Sequence, residues 1–179
     1  MKVLLTGGIG SGKSTAVSRV LDLLGEPHPA GFRTRPVYRE GVRAGFRLED
    51  WTGSGQVFAR AGGSGPSGLV RFDPDLNVFR TVGIPALRLG GDADLLVIDE
   101  LGIMEQPAEE FVTEAAAACS RCRRVLAVVQ RRALEFWSLR LAAAGFDHRL
   151  TLDRANRDDL PRRIAAWLRP AAAPGPGSF

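Results

Sequence analysis

The chain has 179 residues, 45% apolar and 25% charged, with a net charge of +4 and a pI near 9.8. That suits one soluble domain burying about 70% of its extended-chain surface, and no run of about 18 apolar residues offers a transmembrane helix. Met1-Lys2 leads straight into an apolar run with no room for a secretory signal, so the expected location is the cytoplasm.

Val3 to Thr6 reads as a short buried strand and Lys13 to Leu24 as a helix that stops at Gly25. Between them stands Gly7-Gly8-Ile9-Gly10-Ser11-Gly12-Lys13-Ser14, followed by Thr15, which meets the phosphate-loop pattern G-x-x-x-x-G-K-[S/T] at every fixed position. Glycines let the loop turn its N–H groups inward as a concave set of donors, and the helix start adds its own unpaired N–H groups and positive dipole end. Lys13 is placed to neutralise β- and γ-phosphate oxygens, and the Ser14 hydroxyl to ligate Mg²⁺. The chain carries only two lysines, Lys2 and Lys13, among its 24 basic residues. Lysine is thus kept where a point charge on a flexible stem suits a phosphate.

Two strands follow, Gly31 to Tyr38 and Val42 to Trp51, then a third, Gln56 to Arg60, forming a β-meander rich in arginine at 33, 35, 39, 43 and 47. Ala61 to Gly68 reads as a loop or flap. A short helix is predicted around Pro85 to Leu89. From Ala93 strand and helix alternate. Strand Leu95–Ile98 is followed by a helix from Pro107 to about Ser120. Strand Arg124–Val129 precedes a helix Leu134–Ala144, and strand His148–Leu152 precedes a last helix to Leu168, capped by Asn156 or Asp158. The pattern predicts an α/β domain over residues 1–169, with a mainly parallel sheet flanked by helices and the meander inserted or at an edge. Residues 170–179 read as a disordered Ala/Pro/Gly tail. Cys119 and Cys122 form a lone C-x-x-C without the further ligands a zinc site needs, so they are expected to be helix-end thiols, with a redox pair flanked by arginines as the other reading.

Leu95-Leu96-Val97-Ile98 ends in Asp99-Glu100. With the upstream loop, Asp99 is the expected metal-side carboxylate and Glu100 the group that orients or deprotonates a water. Gln130, at the end of the next strand, is a candidate γ-phosphate sensor, and Arg131 or Arg132 a source of positive charge. Asn156 and Arg157 are candidate base contacts. Phe32, Tyr38 or Trp137 could stack on the base, although core packing suits most aromatics.

The glycine loop together with Gly31-Phe32-Arg33-Thr34, Gly41-Val42-Arg43-Ala44-Gly45-Phe46, Ile98 to Glu105, Phe111 and Asn156-Arg157-Asp158 resembles the small nucleoside-triphosphatase family first described from thermophiles, with a human cancer-related member. The likeness runs from residue 2 to about 168. It implies a P-loop NTPase (RecA-like) fold and slow, Mg²⁺-dependent hydrolysis of ATP, GTP and other ribonucleotides to the diphosphate and phosphate. It places Glu105 where the family's Met-Glu carboxylate stands, as a partner of Glu100, a base-side contact or a helix N-terminal charge. Two positions depart from the pattern. Ile103 stands where the family has lysine, and Arg35-Pro36 where it has acidic residues, which makes Arg35 a candidate replacement cation. Two other readings remain: a small-molecule kinase using the same cradle, and a nucleotide-dependent RNA- or DNA-binding module using the arginine-rich meander. No guanine-reading N-K-x-D stretch is present.

Overall fold

A computed structural model of the chain describes residues 1–64, 70–88 and 94–170. Eight strands form one sheet: β1 (Lys2–Gly7), β2 (Ala30–Arg39), β3 (Val42–Asp50), β4 (Gly55–Ser64), β5 (Val70–Pro74), β6 (Leu95–Leu101), β7 (Arg124–Gln130) and β8 (His148–Leu152), in the order β5-β4-β3-β2-β6-β7-β1-β8. From β2 to β8 all neighbours are parallel, and β2 to β5 form the antiparallel meander at one side. β7 thus lies between the loop strand β1 and the Asp-Glu strand β6.

Alternation along the strands sends residues to two apolar layers. Val3, Leu5, Val97 and Val128 face α1 (Lys13–Leu24) and α6 (Leu160–Leu168). Leu4, Phe32, Ile98 and Ala127 face the other layer. That layer holds α2 (Leu76–Val78), α3 (Ile84–Arg88), α4 (Glu109–Arg121) and α5 (Leu134–Arg140). A chain of rings ties the meander to it, with Phe58–Phe79, Phe79–Phe111 and Phe32–Phe111 centroids 4.9, 5.2 and 5.5 Å apart. Gly31 lies at φ 101, and a Cβ there would collide with the Val97 carbonyl oxygen, so glycine is what lets β2 dock on β6.

The structure corrects several sequence expectations. Ala61 to Ser64 belong to β4, not to a loop: Ala61 pairs with Phe72 and Ser64 with Val70, and an irregularity between them absorbs Gly62-Gly63. The rest of that stretch, 65–68, lies outside the described residues, as do 171–179 of the tail. The helix around Pro85 starts earlier, at Leu76, and passes through a π-helical turn over Phe79–Gly83 in which Ile84 N–H bonds to Phe79 O. Widening the turn just before Pro85 accommodates a residue that has no N–H to donate. The last helix begins at Leu160 with Asp159 as its cap and no side-chain cap bond, because a run of turns occupies 154–159 first.

Candidate active site

The carboxyl ends of β1, β2, β6 and β7 converge on the glycine loop. Its last glycine, Gly12, caps α1 without a side chain, which leaves the first-turn N–H groups available to an anion. Lys13 Nζ lies 3.1 Å from Gly8 O, 3.4 Å from Gly7 O and 3.5 Å from Glu100 Oε2. Gln130 Nε2 donates to Glu100 Oε1 at 2.8 Å. Gly102 makes room for that amide, since a Cβ there would meet Gln130 at 2.6 Å. The three residues singled out from separate parts of the sequence therefore meet in one cluster.

Asp99 is 5% exposed, and burial raises its carboxyl to about 6, with the Glu100 charge adding and the Ser14 hydrogen bond, Lys13 and Arg35 opposing. Asp99 Oδ1, Ser11 Oγ and Thr34 Oγ1 are buried without a hydrogen-bond partner. Unpaired polar atoms are rare in folded interiors, and two of these three residues, Asp99 and Thr34, line the cavities at this site.

Two cavities open here and share Ser14, Thr15, Thr34 and Pro36. The larger, about 410 Å³, joins the glycine loop and Glu100 to a wall of Phe46, Ile103 and Met104, with Arg43, Arg131 and Arg132 around it. The smaller, about 330 Å³, lies on the α1 side with Asp99, Arg33 and Arg35.

Glu105 lines the larger cavity as well, beside Glu100 and Gln130. It is 2% exposed, its Oε2 accepts the Gly102 N–H at 2.9 Å, and burial pushes its carboxyl up to about 7. Trp137 fixes the same turn by donating to Gly102 O at 2.9 Å. Phe32 and Trp137 are fully buried, so neither stacks on a base, and the exposed Tyr38 does not line either cavity. Asn156 and Arg157 also lie away from both linings. The Asn156 amide spans its own turn, accepting from Asp153 N at 3.0 Å and donating to Thr151 O at 2.9 Å.

Three arginines of the meander share one counter-charge. Arg33, Arg35 and Arg47 all bind the buried Glu49, at 2.7, 2.9 and 3.2 Å, and the Arg43 guanidinium lies over Phe46. This clamp escaped sequence reasoning because it depends on the β2–β3 register, which sets Arg33 opposite Glu49. Both cysteine thiols are buried, and burial pushes Cys119 up to about 12, far from a reactive thiolate. Among the described residues no helix is long and apolar enough to cross a membrane.

Comparison with known proteins places this geometry in context. A family model described as NTPase matches residues 2–165. Nucleoside-triphosphatase THEP1 of Methanosarcina acetivorans is 34% identical over 168 residues, covering 92% of this chain and 94% of that protein. The protein of the same name from Thermococcus kodakarensis is 31% identical over 166 residues, covering 88% and 89%. Among solved structures, the crystal structure of THEP1 from Aquifex aeolicus superimposes with a TM-score of 0.76 at 24% identity, covering 94% of this chain and 99% of that one. The solution structure of a human cancer-related nucleoside triphosphatase gives 0.70 at 24% identity, covering 93% and 96%. These two likenesses concern the fold.

Proposed function

The chain belongs to the nucleoside-triphosphatase family, and from that premise we propose how its residues hydrolyse a nucleoside triphosphate to the diphosphate and phosphate. The observation that carries the assignment is the contact of Lys13 and Gln130 with Glu100 beside a glycine loop that caps a helix. The loop N–H groups cradle the phosphates, and Lys13, now against loop carbonyls, moves onto the β- and γ-phosphate oxygens. Glu100 takes the proton of the attacking water, and Gln130 holds the Glu100 carboxylate toward it. Arg131 and Arg132 add positive charge at the cavity rim. Glu105 is a positioning residue: with Trp137 it fixes the Gly102 turn that follows Glu100.

Ser14 and Asp99 fit Mg²⁺. Both are hard oxygen donors, they are hydrogen-bonded to each other, and Asp99 Oδ1 is left buried and unpartnered. When bound, Mg²⁺ neutralises charge on the β- and γ-phosphate oxygens. Since the Asn156 amide is committed to its own turn, no base-selective contact enters this reading, and ATP, GTP and the other ribonucleotides are expected substrates.

The test is phosphate release without any acceptor, across the four ribonucleotides with Mg²⁺, for the parent and Glu100→Gln. The variant should bind nucleotide as the parent does while hydrolysis falls by about 10²- to 10⁴-fold. Parent-like hydrolysis by Glu100→Gln would remove Glu100 as the base. Diphosphate formation that requires an added alcohol or phosphate acceptor, with the phosphoryl group recovered on that acceptor, would point to a kinase.

A further inference from the structure

We infer that Thr34 is a water-positioning residue, its hydroxyl sharing the attacking water with Glu100; this rests on the hydrolytic reading above. Three observations converge on it. First, Thr34 Oγ1 is buried without any hydrogen-bond partner, a costly arrangement that a bound reactant would relieve. Second, Thr34 lines both cavities, so it stands where the metal side and the Glu100 side of the site meet. Third, β2 runs parallel to β6 with Arg33 paired to Asp99, and Thr34 follows Arg33 as Glu100 follows Asp99. Both residues are thus one position past the last pair of the β2–β6 ladder.

The strand is also held for this task. Arg33 and Arg35, on either side of Thr34, both bind Glu49 Oε1. Successive side chains on a strand point to opposite faces. The clamp thus anchors β2 from the α1 face while Thr34 shares its face with Phe32, which packs in the opposite layer.

A water attacking phosphorus must direct a lone pair at the γ-phosphorus while its two hydrogens are held elsewhere. Glu100 accepts one hydrogen and Thr34 Oγ1 accepts the other, and the threonine O–H donates to a γ-phosphate oxygen. The new bond joins the water oxygen to phosphorus, and the bond from phosphorus to the β–γ bridging oxygen breaks. That oxygen leaves with the electron pair, and the proton passes to Glu100. The role needs a hydroxyl, which serine retains and the equally shaped valine lacks.

The experiment compares Thr34→Val and Thr34→Ser with the parent in steady-state hydrolysis, Mg²⁺ titration, fluorescent-nucleotide binding and thermal melting. Thr34→Val should lower kcat by about 10- to 100-fold. KM, nucleotide affinity and the Mg²⁺ concentration for half-activity should stay within about twofold. Thr34→Ser should recover kcat to within a few-fold. Free of ligand, Thr34→Val should melt at or above the parent temperature, because an unpaired buried hydroxyl has gone. An unchanged kcat, a loss expressed only in KM, a raised Mg²⁺ requirement at constant kcat, or a serine variant as slow as valine would each overturn the assignment. A valine variant that melts well below the parent would overturn it too, by giving the side chain a packing role. If Glu100→Gln is inactive and Thr34→Val is normal, this inference fails alone; if Glu100→Gln turns over normally, the reading beneath it has failed.

Discussion

Replacing Glu105 by glutamine tests the distinction between a reacting carboxylate and one that holds the site together. The amide still offers an oxygen to the Gly102 N–H, now accepted at 2.9 Å, but it cannot ionise. Burial moves the parent carboxyl from an ordinary 4.5 to about 7 in the folded chain. The folded state then binds the proton more tightly than the unfolded state, so stability is full below pH 4.5. It falls as pH rises and reaches its lower plateau above pH 7. At about 1.4 kcal/mol per pH unit, the span from 4.5 to about 7 corresponds to about 3 kcal/mol. Asp99, raised to about 6 by the same cause, titrates in both proteins and cancels in their difference. Urea unfolding of the metal-free proteins from pH 5 to pH 8 should show Glu105→Gln gaining on the parent by most of this amount. The corresponding gain in melting temperature is on the order of 6–12 °C for a chain of this size. Turnover of the glutamine variant should stay within a few-fold of the parent. A stability difference that does not change with pH would refute the buried, protonated carboxyl, and loss of turnover with intact stability would restore a chemical role.

Three other substitutions probe the cations around the loop. Lys13→Ala should abolish measurable binding of a fluorescent triphosphate, checked by titration with and without Mg²⁺; retained binding would separate affinity from the lysine. Ile103→Lys places an ammonium on the larger cavity's wall, where Ile103 is now 49% exposed. It should tighten triphosphate relative to diphosphate in competition assays. Glu49→Gln leaves Arg33, Arg35 and Arg47 without their shared counter-charge. With the arginines part-exposed, the expected loss is about 1–2 kcal/mol in urea unfolding, increasing at low salt.

What was legible in the sequence was what depends on neighbours in the chain. The glycine loop, α1 from Lys13 to Leu24 and β8 from His148 to Leu152 appear where the pattern put them. Each is written in a few consecutive residues by glycine spacing, apolar periodicity or a short apolar-polar alternation. The strand ending in Asp99-Glu100 was equally plain, because a parallel strand buried on both faces is a continuous apolar run. β5 was missed although Val70-Arg71-Phe72-Asp73-Pro74 alternates apolar and polar, because the run is only five residues long and ends in proline. The helix entering at Leu76 was hidden by Pro85, whose effect depends on the π turn before it. Thr34 and Glu49 could not be read at all in their present roles. One is defined by an absence of partners and the other by three arginines gathered from two strands.

That gathering decides what Arg35 can replace. A cation taking over from the lysine usual at position 103 would have to act in the larger cavity, beside Glu100 and the loop. Arg35 lines the smaller one, bound to Glu49 at 2.9 Å, and its charge is felt by Asp99, whose carboxyl it helps to keep ionised against burial. Its place is on the metal side. The larger cavity is served instead by Lys13, Arg43, Arg131 and Arg132 across from an apolar wall. The exchange of lysine for Ile103 is therefore not balanced by the exchange of acid for Arg35: the first removes charge from the cavity that holds Glu100, and the second adds it to the one that holds Asp99. In the proposed mechanism the two departures therefore bear on separate steps, Ile103 on the γ-phosphate and its water, Arg35 on the ionisation of Asp99 and hence on the metal requirement.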